Sequence, residues 1–586
     1  MAIYINRITI TNYRSAVTTE LLLSPYTPLV GYNNSGKSNA ISAIQWLLRK
    51  SVLAATDFND PTRAVEVSGD VHGITQAEID SMPARQQPQI APYIRNGSLT
   101  IKRTQPNPAA RTADITLSVW DHRTNTWVPN PTGIDNALSA LLPEPIRIGA
   151  MEDAVEDATK AKTSTTIGKL LAEFIAPVRA AHQAELVGLL QEIERRLSAD
   201  GDSRFAELVA IEDAISEKIN DLFPGIGARL HFPVPGMDDL IKSGTLKLHE
   251  GAGNPRDFAS YGHGTQRSVQ MALIRHLAEV RRGTTPTLGT TLLLIDEPEL
   301  YLHPFAIEQV RAALKSLSAN GYQVIFSTHS AQLVAAADAQ YALLMRKDSA
   351  RGTYARSRLR DAIQIVVPDS VHQMEQLFTL GNSTQVLFAD RVVLTEGKTE
   401  LRLIPSIYHA VRARTLGQER SALVAQSGVN DTKKSMEILQ AMDVPCKAIV
   451  DLDYTLTGGI THGFIPASDP NVALLKQILQ RLEAAGTVTL NPATGLPKNG
   501  VVRASEAFVR LAAEPDAADP INNLHAILLT QGIWLWKRGA IETHLGLNAK
   551  NEREWARFQT VVEANGLSVA CPDHTSIEEM IAWVAT

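Results

Sequence analysis

Gly31-Tyr-Asn-Asn-Ser-Gly36-Lys37-Ser38 is the stretch on which the fold turns. It fits G-x-x-x-x-G-K-[ST] and lies between an apolar, strand-like run and SNAISAIQWLLRK (38–50), where Ile41, Ile44, Leu47 and Leu48 recur at helical intervals. A glycine-rich turn between strand and helix lets backbone N–H groups curl around phosphates. Lys37 is expected at the β- and γ-phosphates and Ser38 on a Mg²⁺ ion. Gly31, Asn34, Gly36 and Asn39 complete the expected ATP-binding loop.

Working outward, Ile3, Ile5, Ile8 and Ile10 fall in two short alternating runs that should turn near Asn6, and LLL at 21–23 follows. Between about 60 and 130, AVEVSGDVHGI, GSLTIKR and ADITLSVW read as an antiparallel β lobe. From 165 to 222, Leu186, Leu189, Leu190, Ile193 and Leu197, then Leu208, Ile211, Ile215 and Ile219, predict amphipathic helices broken near Pro177 and at Asp200-Gly201-Asp202. These helices are either a core-facing subdomain or a dimerisation arm, because periodicity does not name the surface covered. TLLLID at 291, YQVIFS at 322 and YALLM at 341 then alternate with helices, as a parallel-containing sheet requires.

TLLLID ends in Asp296-Glu297-Pro298, the form of a Walker B motif. Asp296 would hold the Mg²⁺ shell and Glu297 would orient the attacking water. His329, in Ser327-Thr-His329-Ser330, stands where a histidine would sense the γ-phosphate.

Composition narrows the class. The 586 residues exceed one hydrophobic core, so two large domains and an insertion are expected. The net charge of −6, from 56 basic and 62 acidic residues, leaves any nucleic-acid contact to local patches. Cys446 and Cys571 are the only cysteines, which excludes a disulfide framework or a cysteine-built zinc ribbon. No apolar run approaches the roughly 20 residues that span a bilayer. A cytoplasmic protein without a membrane segment is expected.

A change of character near 365–390 marks a boundary, giving an ATPase domain over 1–380, with its insertion at about 160–250, and a second domain over 385–586. In the second, the strand-like Arg391-Val-Val-Leu-Thr delivers Glu396, a Gly397 turn and Glu400 on the first turn of a helix. Lys447-Ala-Ile-Val is another such run, ending in Asp451-Leu-Asp453. Four carboxylates at adjacent strand ends repel one another unless cations intervene. Their hard oxygens suit Mg²⁺ or Mn²⁺, and two ions about 4 Å apart would serve phosphodiester cleavage. The bland alternative is acids that merely cap helices.

The order P-loop, insertion, signature helix, D-E-P-E-x-x-L-H-P and S-T-H-S resembles the ABC ATPases of the SMC and recombination-mediator branch. That resemblance implies ATP held between two protomers. It aligns His263-Gly264-Thr265-Gln266-Arg267 with the usual S-G-G-Q signature, so Gly264 would approach nucleotide, and His and Thr where Ser and Gly are usual imply slow turnover. E-G-x-x-E followed by D-x-D is similar to the Toprim domain. An ABC-type P-loop ATPase with a helical insertion followed by a Rossmann-like α/β Toprim domain resembles the OLD (overcoming lysogenisation defect) family, which includes the nuclease subunit of the Gabija anti-phage system. The resemblance implies a DNA endonuclease or nickase, two ions in the Toprim site and one with ATP, a dimer or tetramer, and for some members a superfamily-one helicase encoded nearby. It also implies a catalytic lysine after the acidic motifs, for which Lys537 is the candidate, with Glu542 as a further metal group and Glu506 a weaker one. The rival expectation is a non-nucleolytic DNA-repair clamp. A topoisomerase would need a nucleophile such as Tyr454.

Overall fold

A computed structural model describes residues 3–142, 145–149, 166–236, 246–251, 253–281, 290–334, 336–366, 383–426 and 431–586. The boundary expected at 365–390 falls mostly on 367–382, outside the described residues, as do 160–165 and 237–245 of the expected insertion. The chain divides into two compact units, Met1–Arg14 with Leu23–Tyr26 and Ser38–Thr328, and Ser15–Leu22 with Thr27–Lys37 and His329–Thr586.

In the first unit, Tyr4–Tyr13, Val65–His72, Leu99–Gln105, Thr116–Asp121 and Thr126–Pro129 pair in succession, all antiparallel, which is the expected β lobe. The turn expected near Asn6 does not form. Tyr4–Tyr13 is one strand whose register against Val65–His72 slips between Ile5 and Arg7. The extra residue is a β-bulge, so Ile5 and Ile8, three apart, both point into the core and are fully buried. Helix Lys37–Leu48 lies against this lobe, where the wholly buried Arg103 donates from Nε to Leu47 O at 2.9 Å.

Three parallel strands follow in the same unit. Thr291–Asp296 is flanked by Ile146–Ile148 and Tyr322–Thr328, and helix Pro304–Ala319 makes the crossover. The break expected at Pro177 does not occur, because Thr166–Leu197 is one helix. The proline costs a single hydrogen bond of a 32-residue helix, a local penalty of ~3 kcal/mol. The break at 200–202 does occur, and Ala206–Leu222 follows it. Leu189, Ile193, Ile211 and Ile215 are 53%, 45%, 51% and 38% exposed, so this apolar face is an outer surface of its unit.

In the second unit, Leu343–Asp348 pairs in parallel with the strand that feeds the P-loop, Tyr26–Val30, and forms a hairpin with Gly352–Ala355. The expected strand at 341 therefore begins two residues later. The C-terminal sheet has four parallel strands in the order Ser421–Ala425, Arg391–Thr395, Cys446–Val450 and Ile533–Leu535. Val392, Leu394, Ala448, Val450, Ile533 and Leu535 enter one core, and Val393, Ile449 and Trp534 enter another. Alternate residues of each strand are thus buried on opposite faces, as expected of a parallel sheet covered by helices on both sides.

Candidate active site

Because the four C-terminal strands are parallel, their carboxyl ends share one edge, where loops can gather side chains. Glu396 follows Arg391–Thr395, Asp451 follows Cys446–Val450, and Trp536 follows Ile533–Leu535. The backbone N–H of Asp451 donates to Glu396 Oε2 at 3.1 Å, which joins the two acidic motifs. Glu400 lies on the first turn of helix Lys398–Arg412 and is 4% exposed. Gly397 leaves it room, since a Cβ there would stand 3.3 Å from Glu400 Oε2. Glu542, on helix Ile541–Leu545, joins the group, and its Oε1 accepts from Thr399 Oγ1 at 2.5 Å.

The electrostatics are those of acids crowded out of water. Burial first, then the charge of Asp453, raises Glu396 to about 7. Burial, and after it the charge of Glu542, raises Glu400 to about 7. Burial followed by Glu396 and Glu400 holds Asp451 well above the usual carboxylate range, and burial raises Asp453. Asp451 Oδ1 and Asp453 Oδ1 are buried without a hydrogen-bond partner. Hard, desolvated, unsatisfied oxygens fit Mg²⁺ or Mn²⁺. Among the described residues no three His, Cys, Asp or Glu side chains are placed as a group that could hold a metal ion.

Among the described residues the cation that bears on all four acids is one that the sequence reading did not single out. Lys550 pairs with Glu542 Oε2 at 3.1 Å, and its charge favours the ionised form of Glu396, Glu400, Asp451 and Asp453. Burial works against the Lys550 ammonium, but Glu542, Asp451 and Glu400 together raise its pKa. It sits in a polar Asn-Ala-Lys-Asn loop with no periodicity to flag it. Lys537, the sequence candidate, bears on His525 and His544 instead. Burial lowers His544 to about 4, so the ring is neutral. Its Nε2 accepts from Arg538 N at 3.1 Å and its Nδ1 lies 2.6 Å from Asp573 Oδ2, which fixes the turn between Trp536 and Glu542. Glu506 is spent on an ion pair with Arg510 at 3.0 Å on a helix surface. Tyr454 is fully buried with its hydroxyl 2.9 Å from His462 Nδ1, and burial raises its pKa, so it offers no nucleophile.

The ATPase motifs are each formed locally. Lys37 Nζ, 5% exposed, donates to Gly31 O at 2.9 Å and Tyr32 O at 3.0 Å. Asn34 and Gly36 take positive φ, 66° and 95°. A Cβ at Gly36 would collide with Thr353, and one at Gly31 with Met345 O. Ser38 is the second residue of helix Lys37–Leu48, with its carbonyl accepting from Ser42 Oγ at 2.9 Å, and Asn39 Oδ1 accepts from Arg14 at 3.3 Å. In the first unit, Asp296 is buried at the end of its strand, accepting from Ser327 Oγ at 2.9 Å. Glu297 has φ 47°, and its N–H is held by Ser327 O at 3.1 Å. Gly264 is the second residue of helix His263–Arg281. Arg267 on that helix, not singled out above for a role of its own, donates to Asp296 O, to Glu297 O at 2.7 Å and to Gly149 O at 2.9 Å. Burial lowers its pKa to about 10. His329 follows strand Tyr322–Thr328.

Fold and motifs together define a P-loop ATPase joined to a Toprim domain. Family models bear this out: an AAA ATPase domain over residues 3–91, an AAA domain of the AbiEii toxin, Type IV TA system description over 152–335, and an overcoming lysogenization defect protein-like TOPRIM domain over 387–453. The chain is 37% identical to the Old nuclease of Escherichia phage P2 over 100% of both, and 23% identical to the OLD nuclease of Thermus scotoductus over 77% of this chain and 82% of that one. It belongs to the OLD nuclease family. An SMC head bound to the C-winged helix domain of ScpA is similar at 17% identity and a TM-score of 0.37, over 61% of this chain and 99% of that chain.

Proposed function

We propose that the chain is a divalent-metal-dependent DNA endonuclease or nickase, governed by ATP and acting in anti-phage defence or DNA processing. The observation that carries this reading is the convergence of Glu396, Glu400, Asp451, Asp453 and Glu542 at one sheet edge, with two buried carboxylate oxygens lacking partners. These five residues would hold Mg²⁺ or Mn²⁺, two ions in all. When bound, the ions supply a water of lowered pKa and charge neutralisation at the leaving oxygen. Lys550 adds positive charge where a phosphodiester gains negative charge. Lys37, Ser38, Asp296 and Glu297 are the residues proposed to bind and hydrolyse ATP with its own ion. The outward apolar face of the 166–222 helices supports a homo-oligomer. Among the described residues no helix is long and apolar enough to cross a membrane.

Supercoiled plasmid incubated with the full chain and Mg²⁺ or Mn²⁺ tests the reading. Nicked or linear product is expected from the wild type. Glu400→Gln should lower the rate by at least about 10²-fold with the melting temperature kept. Cutting that persists in the pure variant removes the site assignment, and binding without cutting by the wild type favours a repair clamp.

A further inference from the structure

Tyr32, the second residue of the P-loop, is held by groups that also hold the first Toprim strand. Its hydroxyl donates to Lys347 O at 2.9 Å, and its backbone carbonyl accepts from Lys37 Nζ at 3.0 Å. The guanidinium of Arg420 lies over its ring at 4.5 Å and that of Arg346 at 5.9 Å. Both arginines pair with Asp390, Arg346 Nε at 3.0 Å from Oδ1 and Arg420 at 3.3 Å from Oδ2. Arg346, whose side chain is 3% exposed, also donates to Ala389 O at 2.6 Å. The N–H of Asp390 donates to Arg420 O at 2.8 Å. Asp390 directly precedes Arg391–Thr395, the strand that ends at Glu396.

A short series of contacts therefore runs from the P-loop lysine through the Tyr32 ring and two arginines to Asp390 and the root of the Glu396 strand. Beyond Lys37, none of these side chains is needed to bind phosphate through the loop's N–H groups, and the ion pairs and hydrogen bonds of Arg346, Arg420 and Asp390 described above are made with groups other than the carboxylate cluster's oxygens. Two arginines bridged by one carboxylate and flanking one ring make an arrangement that the movement of either end would disturb. We propose that Asp390, with Arg346 and Arg420, is a positioning clamp through which nucleotide in the P-loop and DNA at the carboxylate cluster alter each other's binding and turnover. The cutting readout rests on the nuclease reading, whereas the binding readout does not.

Linkage requires that DNA change nucleotide affinity by the same factor that nucleotide changes DNA affinity. The experiment measures the dissociation constant of a fluorescent, non-hydrolysable ATP analogue with and without duplex DNA, and plasmid cutting with and without the analogue. In the wild type both ratios should depart from one by at least about fivefold. In Arg420→Ala they should fall to within about twofold of one, with analogue affinity in the absence of DNA and cutting in the absence of analogue unchanged. Asp390→Asn should repeat this, and Arg420→Lys, which keeps charge but loses the planar group over Tyr32, should fall between. Wild-type ratios of one, or ratios that survive in Arg420→Ala, overturn the clamp. So does lost analogue affinity in that variant without DNA, which would place Arg420 in the nucleotide site. A wild type that does not cut sinks the nuclease reading, and the affinity ratio alone then decides the clamp.

Discussion

The charge of Lys550 favours the ionised form of all four motif acids, while that of Lys537 bears on His525 and His544, and the two lysines are therefore proposed to differ in their share of the site chemistry. Replacing one partner in a buried charge cluster leaves the others uncompensated. Lys550→Met should therefore slow plasmid cutting by about 10²-fold or more, and Lys537→Met by less. Parallel rate measurements on the two pure variants decide between them. Equal losses, or a greater loss for Lys537→Met, would return the role to the sequence candidate.

At the scale of elements, the site depends on how a strand hands over to a helix. Gly397 has φ −145° and ψ −175°, an extended conformation open to any residue, so its value lies in space and not in backbone freedom. Gly397→Ala should fold normally but push the Glu400 carboxylate by a few tenths of an ångström. Small displacements of catalytic groups cost rate steeply, so cutting should drop about tenfold with Mn²⁺ affinity weakened, as read by titration calorimetry. An unchanged rate and affinity would mean that Glu400 has slack to move. The bulge near Asn6 shows the same dependence on local geometry. Its apolar spacing of three imitates two strands with a turn, and only pairing with Val65–His72 reveals one strand with an extra residue.

For the molecule as a whole, the acid cluster sets how stability follows pH. Glu396 and Glu400 hold protons up to about 7 in the fold, well above an unfolded glutamate at ~4.3. Between those values the folded state binds more protons than the unfolded one, so stability falls as pH rises, by on the order of a few kcal/mol in total. The contribution is intact below the unfolded value and lost above about pH 7. Melting in EDTA should therefore occur at lower temperature at pH 8 than at pH 6. Mn²⁺ should restore more stability at pH 8, because metal binds the deprotonated carboxylates. A melting temperature in EDTA that holds or rises toward pH 8 would contradict the buried cluster.

The sequence alone determined the order of the motifs and most of the elements, because the P-loop, the Walker B strand and the E-G-x-x-E and D-x-D strands each carry their signal within a few neighbouring residues. It also named Glu396, Glu400, Asp451, Asp453 and Glu542. Tertiary structure decided which cation answers those acids, since Lys550 lies far along the chain from Glu396, Glu400, Asp451 and Asp453, which parallel strand ends bring to one edge. It decided too that Arg267 grips the turn after the Walker B strand and that Asp390 binds two arginines beside Tyr32. Charge and packing act through space, and local periodicity carries no record of which distant segments will meet.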